Sequence, residues 1–440
     1  MKFTVAEISF FERDVRLRMP FRFGVVTLTE SPQAFVRARI RLENGKESVG
    51  AAAELLAPKW FDKNPALSNE DNFEQLRASM RSARAAYLAG GLATAFGHAR
   101  PTIGLVENYG PALIDRALLD ALCRALGVPF YEAVKRNIPG IAHGELDMSR
   151  FLSGLQPRTE IAARHTVGLV DPITTAEHRV NDGLPETLEE VIERYGHRWF
   201  KLKVGGDMKA DVERLGQIAA VLDRIAEPYH ASLDGNEQYA DVDGVLQLWR
   251  AVKAEPRLKR LAASVVFIEQ PIKRQNAFAK DVSALSNAKP VIIDESDDSL
   301  DAFPRAKALG YRGVSSKTCK GIYKSLINAA RCVAWGEGYF MSGEDLTIQA
   351  GLALQQDLAL VSLVGLTHVE RNGHHYVNGM TGLPAHEQDA FLAAHPDLYE
   401  RSHGAVRVRI ERGELQIASL DCPGYASGVL PDWESMRRMK

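Results

Sequence analysis

The sequence predicts an α/β chain: an eight-stranded parallel barrel with an α+β module at its N-terminus. Three observations lead there. From about residue 160, short apolar strands alternate with amphipathic helices over about 200 residues. Charged residues recur at the C-terminal ends of successive strands. Before that region the texture differs, with two-residue alternation over 1–60 and helical spacing over about 68–136. Regular βα alternation favours a closed parallel barrel. A doubly wound open sheet is the alternative, but no G-x-G-x-x-G follows a strand. The glycines of "KVGGD" are too few for a phosphate fingerprint.

The elements follow in order. "MKFTVAEISFFERDVRLRMPF" alternates apolar and polar residues and reads as a strand, not a leader peptide. "AFVRARIRLENGKESVGAAAE" alternates too, with Asn44-Gly45 as a hairpin signal. "IDRALLDALCRALGV" is helical and stops before Gly127. The barrel strands are expected at 164–171, 198–204, 229–237, 265–271, 290–296, 313–319, 339–345 and 367–372. Helices such as "ADVERLGQIAAVLDRIA" and "IYKSLINAARCVAWG" lie between them. In the tail, "AVRVRIERGELQIASL" is expected to form a hairpin-like pair that packs back on the N-terminal module. The expected division is 1–140, 141–378 and 379–440.

Bulk properties narrow the function. The chain has 440 residues, 45% of them hydrophobic, enough for a large core. A net charge of −2 argues against nucleic acid or an anionic membrane as partner. No apolar run approaches the roughly 20 residues that span a bilayer. Four scattered cysteines without a C-x-x-C pair argue against a disulfide framework or zinc site, and fit a reduced, cytoplasmic protein. The partner is therefore a small molecule chosen by a local site.

That site is expected at the strand ends. The second barrel strand, "FKLKVGG", carries Lys201 and Lys203 on one face. Asp234, Glu269, Asp294 with Glu295, and Lys317 follow on the next four strands, at steps of 31, 35, 25 and 23 residues. Glu344 and Asp345 end the seventh strand and Glu370 the eighth. Barrel active sites lie at these strand ends. The second and sixth strands are half a circumference apart, so Lys203 and Lys317 face each other. Three converging carboxylates need a cation, and an all-oxygen set favours Mg²⁺ first and Mn²⁺ second. Such an ion binds an anionic substrate and stabilises the charge that builds on a carboxylate when its α-carbon loses a proton. The ammonium of Lys201 and partial burial are expected to lower the pKa of Lys203 and make it a base.

In this order, "KLK", "DGN", "IEQP", "DES" and "SSKTCKG" resemble the enolase superfamily, and the K-x-K with a later lysine is similar to its muconate lactonizing enzyme-like subgroup. The resemblance covers nearly the whole chain. It implies a modified (β/α)7β barrel with an α+β capping domain completed by the C-terminal segment. "MPFRFG" and "VGAAAE" stand at the two substrate-facing loops. It further implies Asp234, Glu269 and Asp294 as Mg²⁺ ligands, Lys203 and Lys317 as acid/base groups on opposite substrate faces, and Lys201 as a supporting lysine. The shared partial reaction is removal of the proton α to a carboxylate through an enediolate. Racemisation or epimerisation, dehydration or cycloisomerisation then follows. Members are commonly homo-oligomers. The spacing from Asp234 to Glu269 is long for the family, "KTCKGI" has one glycine where relatives often have two, and "SGEDL" lacks the histidine of a His–Asp dyad.

Other residues are weighed beside these. Asn236 is expected to support the ligand shell by a hydrogen bond. Glu370 sits where some members hydrogen-bond the substrate carboxylate, and Asp345 is grouped with it. Arg22, Phe23, Lys59 and Trp60 lie on the capping loops, as readers of the substrate's distal end or as domain-interface residues. Lys201 has a plain reading as a salt-bridge partner. Asp294 is favoured over Glu295 as third ligand. His368, His374 and His375 flank the eighth strand and read as packing or surface residues. A Schiff-base aldolase would leave the carboxylates unexplained, and a two-carboxylate glycosidase would leave the lysines unexplained. A silent barrel with a binding role is the non-enzyme alternative.

Overall fold

The computed structural model describes residues 1–23, 26–100, 102–144, 146–346 and 348–439. Gly24, in the expected capping-loop stretch "MPFRFG", lies outside them. The N-terminal module is an antiparallel sheet of β1 (Phe3–Phe23), β2 (Val26–Leu42) and β3 (Glu47–Leu55). The turn between β2 and β3 uses Gly45 at φ 83°, which suits a residue with no Cβ. Alternation in β2 buries Ala34, Val36, Ala38 and Ile40 completely. The helix Leu105–Leu126 packs on that face and ends at Gly127 in the left-handed conformation, as the sequence predicts. It sits so close to β3 that a Cβ on Gly50 would lie 2.2 Å from the Ala121 nitrogen. A second helix, Asn69–Leu88, starts with a reciprocal Ser68–Asp71 capping box.

One buried carboxyl in this module carries a pH prediction. Tyr87 donates a 2.6 Å hydrogen bond to Asp115. Burial raises the Asp115 pKa from 3.8 to about 7, against the opposing effects of Tyr87 and Arg100. Between those values the folded chain holds a proton that the unfolded chain has released. Stability therefore falls as pH rises from about 4 to about 7, by up to about 4 kcal/mol. Asp115→Asn keeps the acceptor and removes the titration. It is expected to raise the unfolding midpoint at pH 8 but not at pH 4.5. An equal effect at both values would rule out this assignment.

The barrel consists of β4 (Glu160–Val167), β5 (Trp199–Lys203), β6 (His230–Asp234), β7 (Val265–Glu269), β8 (Val291–Ile293), β9 (Gly313–Ser316), β10 (Phe340–Gly343) and β11 (His368–Arg371). All eight are parallel, one at each expected position. Pairing of β11 with β4, Glu370 opposite Arg164, closes the barrel. Helices cross between strands, including Met208–Leu222 and Ile322–Trp335 where the sequence places them.

Register then positions the site. Lys203 pairs with Asp234, and Asp234 with Glu269, so three charged groups stand abreast. The opposite end of the barrel is filled by Trp199, packed between His230 and His368 at 4.3 and 3.9 Å.

The tail differs from expectation. Ala405–Val408 pairs with Tyr399–Ser402, while Glu414–Gln416 adds antiparallel to β4 of the barrel. The expected hairpin within "AVRVRIERGELQIASL" is thus divided between two sheets. Among the described residues of the tail, Arg437–Arg438 is the segment that pairs with β1. All four cysteines are free. No helix among the described residues is long and apolar enough to cross a membrane.

Candidate active site

Lys201 and Lys203 both point into the barrel, as the two-residue strand period requires. Lys203 Nζ donates to Asp234 Oδ2 at 2.5 Å and to Asn236 Oδ1 at 2.6 Å. Lys201 Nζ reaches Asp234, Glu269, Glu344 and Glu370 at 2.8–3.0 Å. Burial disfavours its ammonium, but these carboxylates, Asp234 first, outweigh burial and hold its pKa well above the ordinary lysine value. The plain salt-bridge contact is what the geometry contains.

Across the barrel, Lys317 Nζ donates to Asp294 Oδ2 at 2.6 Å. Burial opposes its charge, and Asp294 outweighs burial to raise its pKa. The Trp60 ring lies 4.3 Å from Lys317 Nζ, a cation–π distance. Lys320, one turn on, contacts Asp294 Oδ1 at 3.3 Å and Ser315 Oγ at 2.7 Å. Against the cost of burial, Lys317 and then Lys320 hold the Asp294 carboxyl well below the usual range. Glu269 goes the other way. Burial, then Asp234 and Glu344, raise it well above the usual value. Its Oε2 lies 2.8 Å from Lys201 Nζ yet outside hydrogen-bond geometry. A buried carboxylate crowded by its own kind, with an oxygen that has no hydrogen bond among the described residues, fits a ligand set for a hard divalent cation.

Asp294 and Glu295 separate as adjacent residues should. Asp294 joins the inner ring. Glu295 instead meets Lys63 at 3.3 Å and Asn236 at 3.2 Å. The Asn236 backbone N–H donates to Asp234 Oδ1 at 2.8 Å, and Asn236 sits at φ 37°. The Gln270 amide oxygen accepts from the backbone N–H groups of Asp294 and Ser296, fixing where Asp294 projects. Glu370 joins the ring through Lys201 and accepts from Thr166 at 2.7 Å.

The remaining candidates scatter. The Asp345 carboxylate pairs with Arg371 at 3.1 Å, while its backbone N–H donates to Glu370. Arg22 is exposed on β1, and Phe23 is buried with its ring 5.2 Å from that of Phe21. Lys59 turns back on its own loop, to the Asn64 carbonyl. Glu344, one of the expected strand-end charges, joins the cluster, and so do Arg164 and Lys320, which the sequence did not mark as site residues. Arg164 pairs with Glu344. Strand parity offered one signal, since Arg164 and Thr166 share a face; Lys320, three after Lys317, offered another. A cavity of about 770 Å³ opens between the capping module and the barrel loops, lined by Phe61, Lys63, Leu105, Arg274, Glu295 and Arg305. It comes nearest the ring at Glu295, the neighbour of Asp294, and among the described residues neither Lys203 nor Lys317 lines it.

A family model described as enolase C-terminal domain-like matches residues 183–425, more than half the chain. The chain belongs to the enolase superfamily. It is 26% identical over 301 residues to "Muconate cycloisomerase 1-2" of Acinetobacter lwoffii, a match covering 67% of this chain and 65% of that relative. This enolase-superfamily chain also shares its fold with the N-succinyl Arg/Lys racemase of Bacillus cereus, at TM-score 0.65 and 18% identity with both chains fully covered. A member from Roseovarius nubinhibens, solved in complex with magnesium, aligns at TM-score 0.60 and 18% identity over 100% of this chain and 99% of that one. The superfamily and barrel expected from the strand-end residues are therefore correct.

Proposed function

We propose that this protein removes the proton α to a small-molecule carboxylate, with Lys203 and Lys317 as the acid/base pair and Lys201 as the supporting charge. The observation that carries the reading is their placement. Lys203 ends β5 and Lys317 directly follows β9, strands that stand opposite each other in a closed eight-stranded barrel. Each donates to a different carboxylate of the ring, Asp234 and Asp294. A substrate carbon held between them presents one face to each. Asp234, Glu269 and Asp294 are the proposed ligands of a divalent cation, Mg²⁺ with Mn²⁺ as substitute, in keeping with their oxygen donors and the magnesium-bound neighbour. When bound, that ion supplies positive charge against which the substrate's enediolate forms.

Charge balance points to an anionic substrate. The five carboxylates of the ring and Asp297 beside them meet six cations: Arg164, Lys201, Lys203, Lys317, Lys320 and Lys324. A dication added to this neutral set leaves a surplus that a carboxylate offsets. Glu370 and Asn236 hold the lysines in place through hydrogen bonds. The reaction belongs to the superfamily's isomerase or lyase class: racemisation or epimerisation, cycloisomerisation, or dehydration. The test is exchange of the substrate α-proton with D₂O, across acid sugars, N-acyl amino acids, dipeptides and muconates. Exchange is expected to require a divalent cation and to stop on chelation. Exchange that continues after exhaustive chelation would sink the reading.

The capping loop gives a second expectation. Arg274 donates to the Trp60 and Phe61 carbonyls at 2.8 and 2.9 Å while paired with Glu237. It thus holds Trp60 over Lys317. Arg274→Met removes these charge-assisted bonds and is expected to raise KM about tenfold, with a smaller change in kcat. A change in kcat alone would place Arg274 outside substrate positioning.

A further inference from the structure

Three histidines meet on the outer side of the barrel wall. Arg164 and Thr166 of β4 bond to Glu344 and Glu370 inside, so His165 between them faces outward. His197 precedes β5, and His374 lies on the short helix Gly373–Tyr376 that follows β11. The rings of His165, His197 and His374 stand 5.0–5.3 Å apart, centroid to centroid. One ligand atom from each lies within 4.8 Å of the others. All three residues are at most 5% exposed.

Their hydrogen bonding is incomplete. His197 Nδ1 pairs with the Ala163 carbonyl at 2.9 Å, which places its proton there and leaves a lone pair on Nε2. Among the described residues that Nε2 has no hydrogen-bond partner, nor has His374 Nδ1. His165 Nδ1 and His374 Nε2 are 3.1 Å apart. A buried imidazole whose other nitrogen is anchored on a backbone carbonyl is the usual arrangement of a metal-ligating histidine. Nothing in the proposed proton transfer uses these residues.

We propose that His165, His197 and His374 form a second metal site, for one first-row transition-metal dication, Zn²⁺ foremost. Three imidazoles suit Zn²⁺, Cu²⁺ or Ni²⁺ and not the hard Mg²⁺ of the carboxylate ring. Burial keeps all three imidazoles neutral, which is the ligating form. The location gives the site a role. His165 and His374 sit on or beside β4 and β11, the first and last barrel strands, whose pairing closes the barrel. A bound ion ties that seam together.

The test uses the full-length protein in saturating Mg²⁺, so that the carboxylate ring is occupied. Because the nitrogens are buried, Zn²⁺ is offered both during expression and to the folded protein. The expected result is one retained equivalent of zinc, a raised unfolding midpoint, and a zinc X-ray absorption spectrum with three imidazole nitrogens. His197→Gln and His374→Gln are each expected to weaken retention about 100-fold or more, while Asp234→Asn leaves it intact. The spectrum is read on the unaltered protein, so misfolding of a variant does not decide the matter. Failure to retain zinc by either route, an oxygen-dominated shell, or loss in Asp234→Asn alone would overturn the proposal.

Discussion

Replacing Lys201 by methionine is expected to cost about 3–5 kcal/mol of stability in the absence of divalent cation, and much less in its presence. The Nζ atom lies within 2.8–3.0 Å of Asp234, Glu269, Glu344 and Glu370, all fully or almost fully buried. Exchanging a whole buried ion cluster for apolar groups can be neutral, but removing one partner leaves charges uncompensated, at about 3–5 kcal/mol. Methionine fills similar volume, so the loss is electrostatic and not a cavity. Two carboxylates about 4 Å apart repel by about 4 kcal/mol at an effective dielectric of 20. A dication within the same carboxylates restores the missing charge. Urea unfolding with and without Mg²⁺ measures both terms. The variant is expected to gain far more from Mg²⁺ than the parent chain does. A cost below about 1 kcal/mol without cation would mean that the carboxylates do not depend on Lys201.

The barrel was legible because its signal is periodic. Each apolar strand ends in a charged residue, and each helix repeats at 3.6 residues, so eight units could be placed to within a few residues. The inner ring was legible for the same reason: Lys203, Asp234, Glu269, Asp294 and Lys317 occupy equivalent places on successive strands. Lys320 was not, because it enters the ring from the single turn Thr318–Lys320, where no strand parity applies. Arg164 pairs with Glu344 across the closing seam, a contact set by register and invisible along the chain. The tail misled because it contains two turns of one kind. His403-Gly404 and Arg412-Gly413 both have positive φ. The first makes the hairpin, and the second sends its strand to β4. The His165–His197–His374 cluster combines three distant segments, so His374 alone read as a packing or surface residue, and His165 and His197 carried no signal of their own. What the capping loops recognise is equally unreadable, because Trp60 is placed by Arg274 and Lys317 of the barrel and not by its neighbours in sequence.

The opposed lysines make a sharper claim than loss of activity. If Lys203 and Lys317 serve opposite faces of one carbon, removing either should silence one enantiomer at the first step. Lys203→Met is expected to slow α-proton exchange from one enantiomer by about 10³-fold, and Lys317→Met to do the same for the other. Each variant should still exchange the enantiomer whose base remains, because exchange with solvent needs only one proton acceptor. Both should lose racemisation, which needs two. The ring changes little in net charge terms at the far lysine, since each Nζ donates to its own carboxylate, Asp234 or Asp294. Exchange followed by NMR on separate enantiomers reads this directly, with substrate binding checked by calorimetry. If one lysine proves essential for both enantiomers and the other for neither, the second acts as fixed charge. The chemistry is then cycloisomerisation or dehydration, not 1,1-proton transfer. Exchange of both enantiomers at the parent rate in both variants would remove the lysines from the reaction altogether.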